Sequence, residues 1–388
     1  MNQAVHPELL QRAVLQTPSR SRPLSVAETE AFGAALEAIR QEVVQSLGAQ
    51  DAAYIRRVQT AVRHGEITSR AVLMFGGWLP PLWLLGTVGL GLTKIIENME
   101  LGHNVMHGQY DWLNDDSLRG STYDWDNVCA GDNWRHSHNF VHHTYTNVVG
   151  KDRDVGYGLL RLFPEQYWVR GHLLNLPKMV LLALLFEWAV GVHDLDLIRV
   201  LRKPNGRELL PEVAGPFVRK IRRQMLKDYV FFPLLAGPMA LPVLAGNLGA
   251  NVIRNVWAFT VIFCGHFTET VEVFEKSCLQ QETRAQWYLR QLKSSSNIEG
   301  GRWLHFFSGN LSHQIEHHLF PDLPANRYAE IALKVRALCE QYGQHYSTGR
   351  LSHQFGQVVR RAALYSLPNP AVKKVTALQQ RLRGWLRR

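Results

Sequence analysis

Three uncharged runs mark the 388-residue chain, at 71–92, 229–253 and 255–265, and the segments between them are dense in Arg, Lys, Asp and Glu. A bilayer core takes about 20 apolar residues of helix, so this alternation predicts membrane spans joined to polar lobes rather than one soluble globule. The run 71–92 is either one span broken at Pro80-Pro81 or a tight helical hairpin with the prolines at the turn. The helix then continues through Lys94, Glu97 and Glu100 to His103. Charges that deep on a membrane helix face protein or a water-filled interior. The runs 229–248 and 250–267 are separated by almost nothing and predict an antiparallel helical hairpin. A further apolar run, 173–192, is interrupted by Pro177, Lys178 and Glu187.

The flanks are polar. Residues 1–70 carry eight basic and seven acidic side chains, with helical spacing at Phe32, Leu36, Ile39 and Val43, Val44, Leu47. From 270 onward the chain is polar, with helical spacing around 329–338 and a basic tail. Strand-like alternation is scarce, so the fold class is all-α. Three regions follow: a cytosolic helical region at 1–70, a membrane domain at 71–325, and a basic cytosolic helical region at 326–388.

Composition narrows the classes. With 11 Trp, 12 Tyr and 16 Phe the chain is not disordered, and four cysteines (Cys129, Cys264, Cys278, Cys339) without a CxxC pair exclude a disulfide scaffold. The net charge of +10 raises nucleic-acid binding, but no zinc finger, recognition helix or RNP-like strand accompanies it. The excess is local instead. Nine Lys/Arg against four acids occupy 194–227, and eight Lys/Arg with no acid occupy 357–388. Basic segments flanking apolar spans are the pattern of the positive-inside bias. The N-terminus lacks a basic n-region followed by an apolar run, so no cleaved signal peptide is expected.

The chemistry lies in the histidines. Of seventeen, nine fall in three segments: GHNVMHG with His103 and His107; WRHSHNFVHHTYTN with His136, His138, His142 and His143; and SHQIEHHLFP with His313, His317 and His318. Spacing i, i+4 puts two imidazoles on one helix face, within reach of one metal or two adjacent metals. A single HxxxH is more often structural than not. Three clusters beside apolar spans are hard to explain by packing, because a buried imidazole without a partner is costly. Imidazole suits Fe, Zn, Cu and Ni, and a nitrogen-rich dinuclear site fits iron and O2 better than a three-ligand hydrolytic zinc.

HNVMH, HNFVHHTYTN and HQIEHHLFP resemble the three histidine boxes of the integral-membrane fatty acid desaturases, in the family's order and spacing over roughly residues 70–325. The resemblance implies a non-haem di-iron enzyme that uses O2 and two electrons to place a cis double bond in an acyl chain. It implies His103, His107, His138, His142, His143, His317 and His318 as metal ligands, with His266 in FCGHFTE as an eighth. The third box opens on Gln314 rather than His, and His313 stands i, i+4 from His317, so either is a candidate ligand. Glu97, Glu100, Glu269, Glu272, Glu316, Asp126, Asn133 and Asn147 are candidates for orienting imidazoles from behind. His136 and His305 read as supporting or structural, and His6, His64, His172, His193, His345 and His353 as ordinary.

An acyl-CoA substrate is favoured over a lipid-esterified chain, because basic residues near the cytosolic face can hold nucleotide phosphates. The alternatives are a membrane di-iron lipid hydroxylase or sphingolipid-type desaturase, and more remotely a zinc-dependent membrane hydrolase or a metal transporter. The chain shows no His-Pro-Gly-Gly cytochrome b5 signature, ferredoxin cysteine run or GxGxxG in context. Electrons are therefore expected from a separate ferredoxin or cytochrome b5 with its NAD(P)H reductase, docking on a basic face that includes Arg222, Arg223, Arg360 and Arg361. If the boxes share one side of the membrane, an even number of crossings separates them. That parity predicts four transmembrane helices in two hairpins (the first at 71–105), a non-spanning 173–192, cytosolic termini, and a cytosolic cap carrying the di-metal site.

Overall fold

The computed structural model describes residues 21–386, and most of them are helical. Helix α1 (Val26–Ser46) opens on a reciprocal cap: the Ser25 hydroxyl accepts from the Glu28 N–H at 3.2 Å, and the Glu28 carboxylate accepts from the Ser25 N–H at 2.8 Å. Its expected apolar face is buried at Phe32, Leu36 and Val43. Helix α2 (Ala49–Gly76) crosses residue 70 without a break, so the polar preface and the first apolar run share one helix. The chain reverses at 77–79, and α3 (Pro80–Ile95) begins with both prolines in its first turn, where a missing N–H costs little. It continues into a wide π-helical segment, Ile96–His103, that delivers the first box.

Helices α4 (Asn175–Leu184) and α5 (Phe186–Asp194) meet at Leu185 in a bend of 96° over Arg170–Leu201. Helix α6 (Gly206–Leu226) runs on through a π turn, Lys227–Phe231, to Leu235. The next reversal falls at 236–239, where Gly237 takes φ +55° ahead of Pro238. Helix α7 (Ala240–His266) then runs 27 residues without interruption. The break expected between 248 and 250 is thus corrected to 236–239. Gly249 serves close packing instead, since a Cβ there would sit 2.9 Å from Thr87 Cγ2 on α3.

Two helical hairpins are therefore present, with tips at 77–79 and 236–239 held side by side; Trp83 Nε1 donates to Pro242 O at 2.9 Å. Of their four arms, one has the length and composition of a complete span. Among the described residues, Gly237–His266 is the one unbent helix that meets both criteria. Between the arms lies a buried ionic lattice. Lys94 Nζ donates to Asp126 at 3.0 Å and Asp228 at 2.9 Å, and Arg70 Nη2 donates to Asp228 at 2.9 Å.

The polar lobe consists of α8 (Arg284–Lys293), α9 (Gln314–Leu319), α10 (Tyr328–Tyr342), α11 (Leu351–Leu364) and α12 (Asn369–Leu386). A short parallel pair, β1 (Asn297–Glu299) with β2 (Thr348–Arg350), ties α9 to α11. Tyr288, Ile315, Leu319, Ile331 and Val335 close one core with Phe32 and Leu36 of α1. Both ends of the α4–α5 bend lie beside this lobe and the boxes: Asn175 Nδ2 donates to Ala362 O of α11 at 3.0 Å, and His193 lies 3.1 Å from Asp154. Its apex reaches α7, where Asn255 Nδ2 donates to Leu184 O at 2.9 Å.

The basic tail is less free than its composition suggests. Arg361 is buried over Phe163 and donates to Thr268 O, and Arg360 pairs with Glu269 at 2.9 Å. Arg222 and Arg223 on α6 remain exposed.

Candidate metal centre

Each box sits where a helix delivers it to one point. The π-helical segment after α3 carries His103, with His107 just beyond it; a second π segment, Arg135–His142, carries His138 and His142, and His143 follows. Helix α9 carries His317 and His318, and His266 ends α7. Wide π turns recur at functional sites because they re-aim side chains that a regular helix would spread out.

The eight imidazoles converge. Nitrogens of His103, His107, His138 and His317 lie within 4.8 Å of one another, as do those of His142, His266 and His318, and those of His143, His317 and His318. Gln314 joins them, its amide nitrogen 3.0 Å from His266 Nε2. His313 does not: its ring stacks on His305 at 4.6 Å and faces a separate cavity. His136 is exposed and stacks on Phe140. His6 lies outside the described residues.

Most rings are held by Nδ1 from behind. His103 Nδ1 is 3.1 Å from Asn104 Oδ1, His142 Nδ1 is 3.1 Å from both Asp152 oxygens, and His266 Nδ1 is 3.3 Å from Ser294 O. His317 Nδ1 is 3.3 Å from the Tyr328 hydroxyl, and His318 Nδ1 is 3.1 Å from Gln291 Oε1. A carbonyl oxygen only accepts, so the His266 Nδ1 carries a hydrogen and its Nε2 presents a lone pair. With Gln291 oriented to accept, the same holds for His318. The two Nε2 atoms are nevertheless 3.1 Å apart. His107 Nε2 and His317 Nε2, buried nearby, have no hydrogen-bond partner among the described residues. Lone pairs facing one another in a dry interior are unfavourable unless a cation lies between them. The donor set therefore fits bound metal on its own geometry, and imidazole nitrogens suit Fe, Zn, Cu and Ni.

Charge in this cluster is arranged accordingly. Burial pushes the His143, His317 and His318 imidazoles well below the ordinary histidine range, so they are neutral at physiological pH. Burial acts on His142 too, but the Asp152 and Asp154 carboxylates outweigh it and hold that ring up at about 9.

The carboxylates that do this were not among those expected from the sequence. Glu97 accepts from the Asp126 N–H, Glu100 from Tyr54 and Asn310, and Glu316 from Asn297 and Tyr346. Asp126 pairs with Lys94, Glu269 with Arg360, and Glu272 lies 3.9 Å from Lys293. None of the six hydrogen-bonds or ion-pairs with a clustered imidazole among the described residues. Asn133 donates to Val213 O. Asn147 does contribute, its backbone N–H donating to Asp152 Oδ2 at 2.8 Å. Asp152 and Asp154 were missed although the alternating acids follow the second box by a few residues, and His193, read as ordinary, shares Asp154 with His138 and His142.

A cavity opens on the cluster at His103, His138, His142 and His266. Its walls are mainly apolar: Met99, Trp134, Phe186, Val190, Ala258 and Ile262. A slot of this kind beside histidines that could hold metal fits an enzyme that acts on hydrocarbon chains.

The comparison with known proteins agrees. The fatty acid desaturase family model matches residues 76–350, and the chain belongs to that family. It is an oxidoreductase of the desaturase type. Its relatives include the NADPH-dependent stearoyl-CoA 9-desaturase of two Mycobacterium tuberculosis strains, 46% identical over 350 residues, 89% of this chain and 82% of the relative. The sn-1 linoleoyl-lipid 6-desaturase of Synechocystis is 26% identical over 71% of this chain and 78% of its own length. The acyl-lipid (7-3)-desaturase of Diacronema lutheri is 30% identical over 68% and 59%.

Proposed function

We infer that this chain is an O2-dependent di-iron acyl-CoA desaturase that places a cis double bond at position 9 of a saturated chain. The observation that carries the reading is the eight-histidine cluster opening on an apolar cavity. The substrate and bond position rest on the 46% identity to a stearoyl-CoA 9-desaturase. His103, His107, His138, His142, His143, His266, His317 and His318 hold the metals, with Gln314 beside them and His313 outside. The metal pair supplies O2 activation. Overall, one –CH2–CH2– unit, one O2, two electrons and two protons give one –CH=CH– unit and two waters. The protein's own part is to hold the ligand rings in fixed tautomers through Asp152, Asn104, Ser294, Gln291 and Tyr328, and to thread the chain past them in a slot that excludes water.

The two hairpins form four crossings, with the boxes, both termini and the polar lobe on the cytosolic side. The α4–α5 bend enters from that side and returns to it. Its exposed Leu173, Leu174, Val180, Leu181 and Leu185 suit a lipid interface. Electrons come from NADPH through a separate carrier, docking near exposed basic residues such as Arg222, Arg223 and Arg360; Arg361 is buried within the fold.

The test is reconstitution. Purified protein with NADPH and stearoyl-CoA alone is expected to be inactive, and adding a ferredoxin or cytochrome b5 with its reductase is expected to give a product two mass units lighter. A product heavier by one oxygen would favour a hydroxylase, and turnover by the isolated chain would mean a redox centre within it.

A further inference from the structure

The cavity beside the histidines has a charged floor. It follows one face of α7: His266, Ile262, Ala258 and then Asn255 with Arg254 line it in turn, and no residue of α7 before Arg254 does. At about 1.5 Å per residue, Arg254 lies about 18 Å along the helix from His266. Across the slot, α5 runs alongside for about 12 Å, from Asp194 near the histidines to Glu187 and Phe186 at the far end.

There Glu187 and Arg254 pair, with side chains only 5% and 2% exposed. The Arg254 guanidinium also reaches Asn255 Oδ1 at 3.1 Å and Asp126 O at 3.3 Å, and Asn255 donates to Leu184 O. Glu187 is the one charged residue in 179–192, and Arg254 the one Asp, Glu, Lys or Arg in α7. Their pairing joins the apex of the α4–α5 bend to α7.

We propose that the Glu187–Arg254–Asn255 group is the floor of the acyl slot and fixes how long a chain the enzyme accepts. The inference rests on the desaturase reading above. An alkyl end can lie against this group, because Arg254 and Glu187 satisfy each other without water. It cannot pass between them, because the bulk of the two paired side chains closes this end of the slot. The histidines set which carbons react; the floor sets how much chain fits beyond them.

The experiment uses the full-length protein, supplied with its electron carrier and a series of saturated acyl-CoAs of increasing length. The double variant Glu187→Ala/Arg254→Ala removes both charges together and lowers the floor. It is expected to move the length optimum upward, with a gain relative to wild type of about fourfold in kcat/KM for each further methylene admitted. The double-bond position, counted from the thioester, should not change. Glu187→Leu/Arg254→Met, which keeps the volume, should keep the wild-type optimum. An unchanged optimum in the alanine pair overturns the proposal, as does an equal shift in the volume-retaining pair. Ala258→Phe blocks the slot nearer the histidines and reads the same axis in the other direction: a shorter optimum supports the proposal, and an unchanged one overturns it even if the alanine pair does not fold. Absence of desaturation at every length in the wild type overturns the desaturase reading itself, which separates the two failures.

Discussion

Two buried polar clusters lie in this molecule, and they are built on opposite principles. In the ionic lattice, Lys94, Arg70, Asp126 and Asp228 each face opposite charge at 2.9–3.0 Å, so the chain satisfies itself. In the histidine cluster, the Nε2 atoms of His266 and His318 face each other, and those of His107 and His317 have no hydrogen-bond partner among the described residues. The first is complete as protein. The second leaves donor atoms that a bound cation would satisfy. Burial alone thus does not mark a functional site; what marks it is burial combined with an unmet need.

The sharpest way to break this contrast is to remove one member of each. His143→Ala is expected to lower activity by at least about a thousandfold and to lower bound iron while the protein still inserts, because a ligand has no substitute in a closed set. His136→Ala, outside the cluster, should stay within a few-fold of wild type. Measured turnover and iron content of the two variants side by side decide this, and full activity in His143→Ala would remove the ligand assignment.

In the lattice the loss should appear as stability instead. Asp228→Asn leaves Lys94 and Arg70 short of a counter-charge and is expected to cost about 3–5 kcal/mol, read as a lower melting temperature in detergent. Iron per folded chain should be unchanged. A variant that folds normally but loses iron would show that the two clusters are not independent.

A smaller effect is expected behind the ligands. Asp152→Asn keeps the shape but removes the carboxylate that fixes His142, and should lower iron affinity or turnover by about 10–100-fold. The same change at Glu316, a carboxylate that faces Asn297 and Tyr346, should leave iron affinity near wild type.

The boxes were legible because helical spacing is a local property: i, i+4 histidines share a face wherever the helix goes. Their placement together with His266 needed only the resemblance to a family. What sequence could not show was partnership across the fold. Asp152 reaches His142 through a tight reversal after the second box, while the nearer-looking glutamates of the first box turn to Tyr54, Asn310 and the Asp126 backbone. The choice between His313 and Gln314 was likewise invisible, because it depends on which side chain α9 turns toward α7. The second hairpin was legible but its tip was misplaced. Apolar runs carry no internal register, and Gly249, which packs on Thr87, looks in sequence like a break.

Bound metal is expected to finish the histidine cluster. Iron content of the purified, active protein, measured by elemental analysis together with zinc and by Mössbauer spectroscopy of iron-57-labelled material, tests it most directly. About two iron ions per chain in a nitrogen-rich, spin-coupled pair is the expected result. Full activity with one metal ion per chain, or with zinc in place of iron, would contradict it.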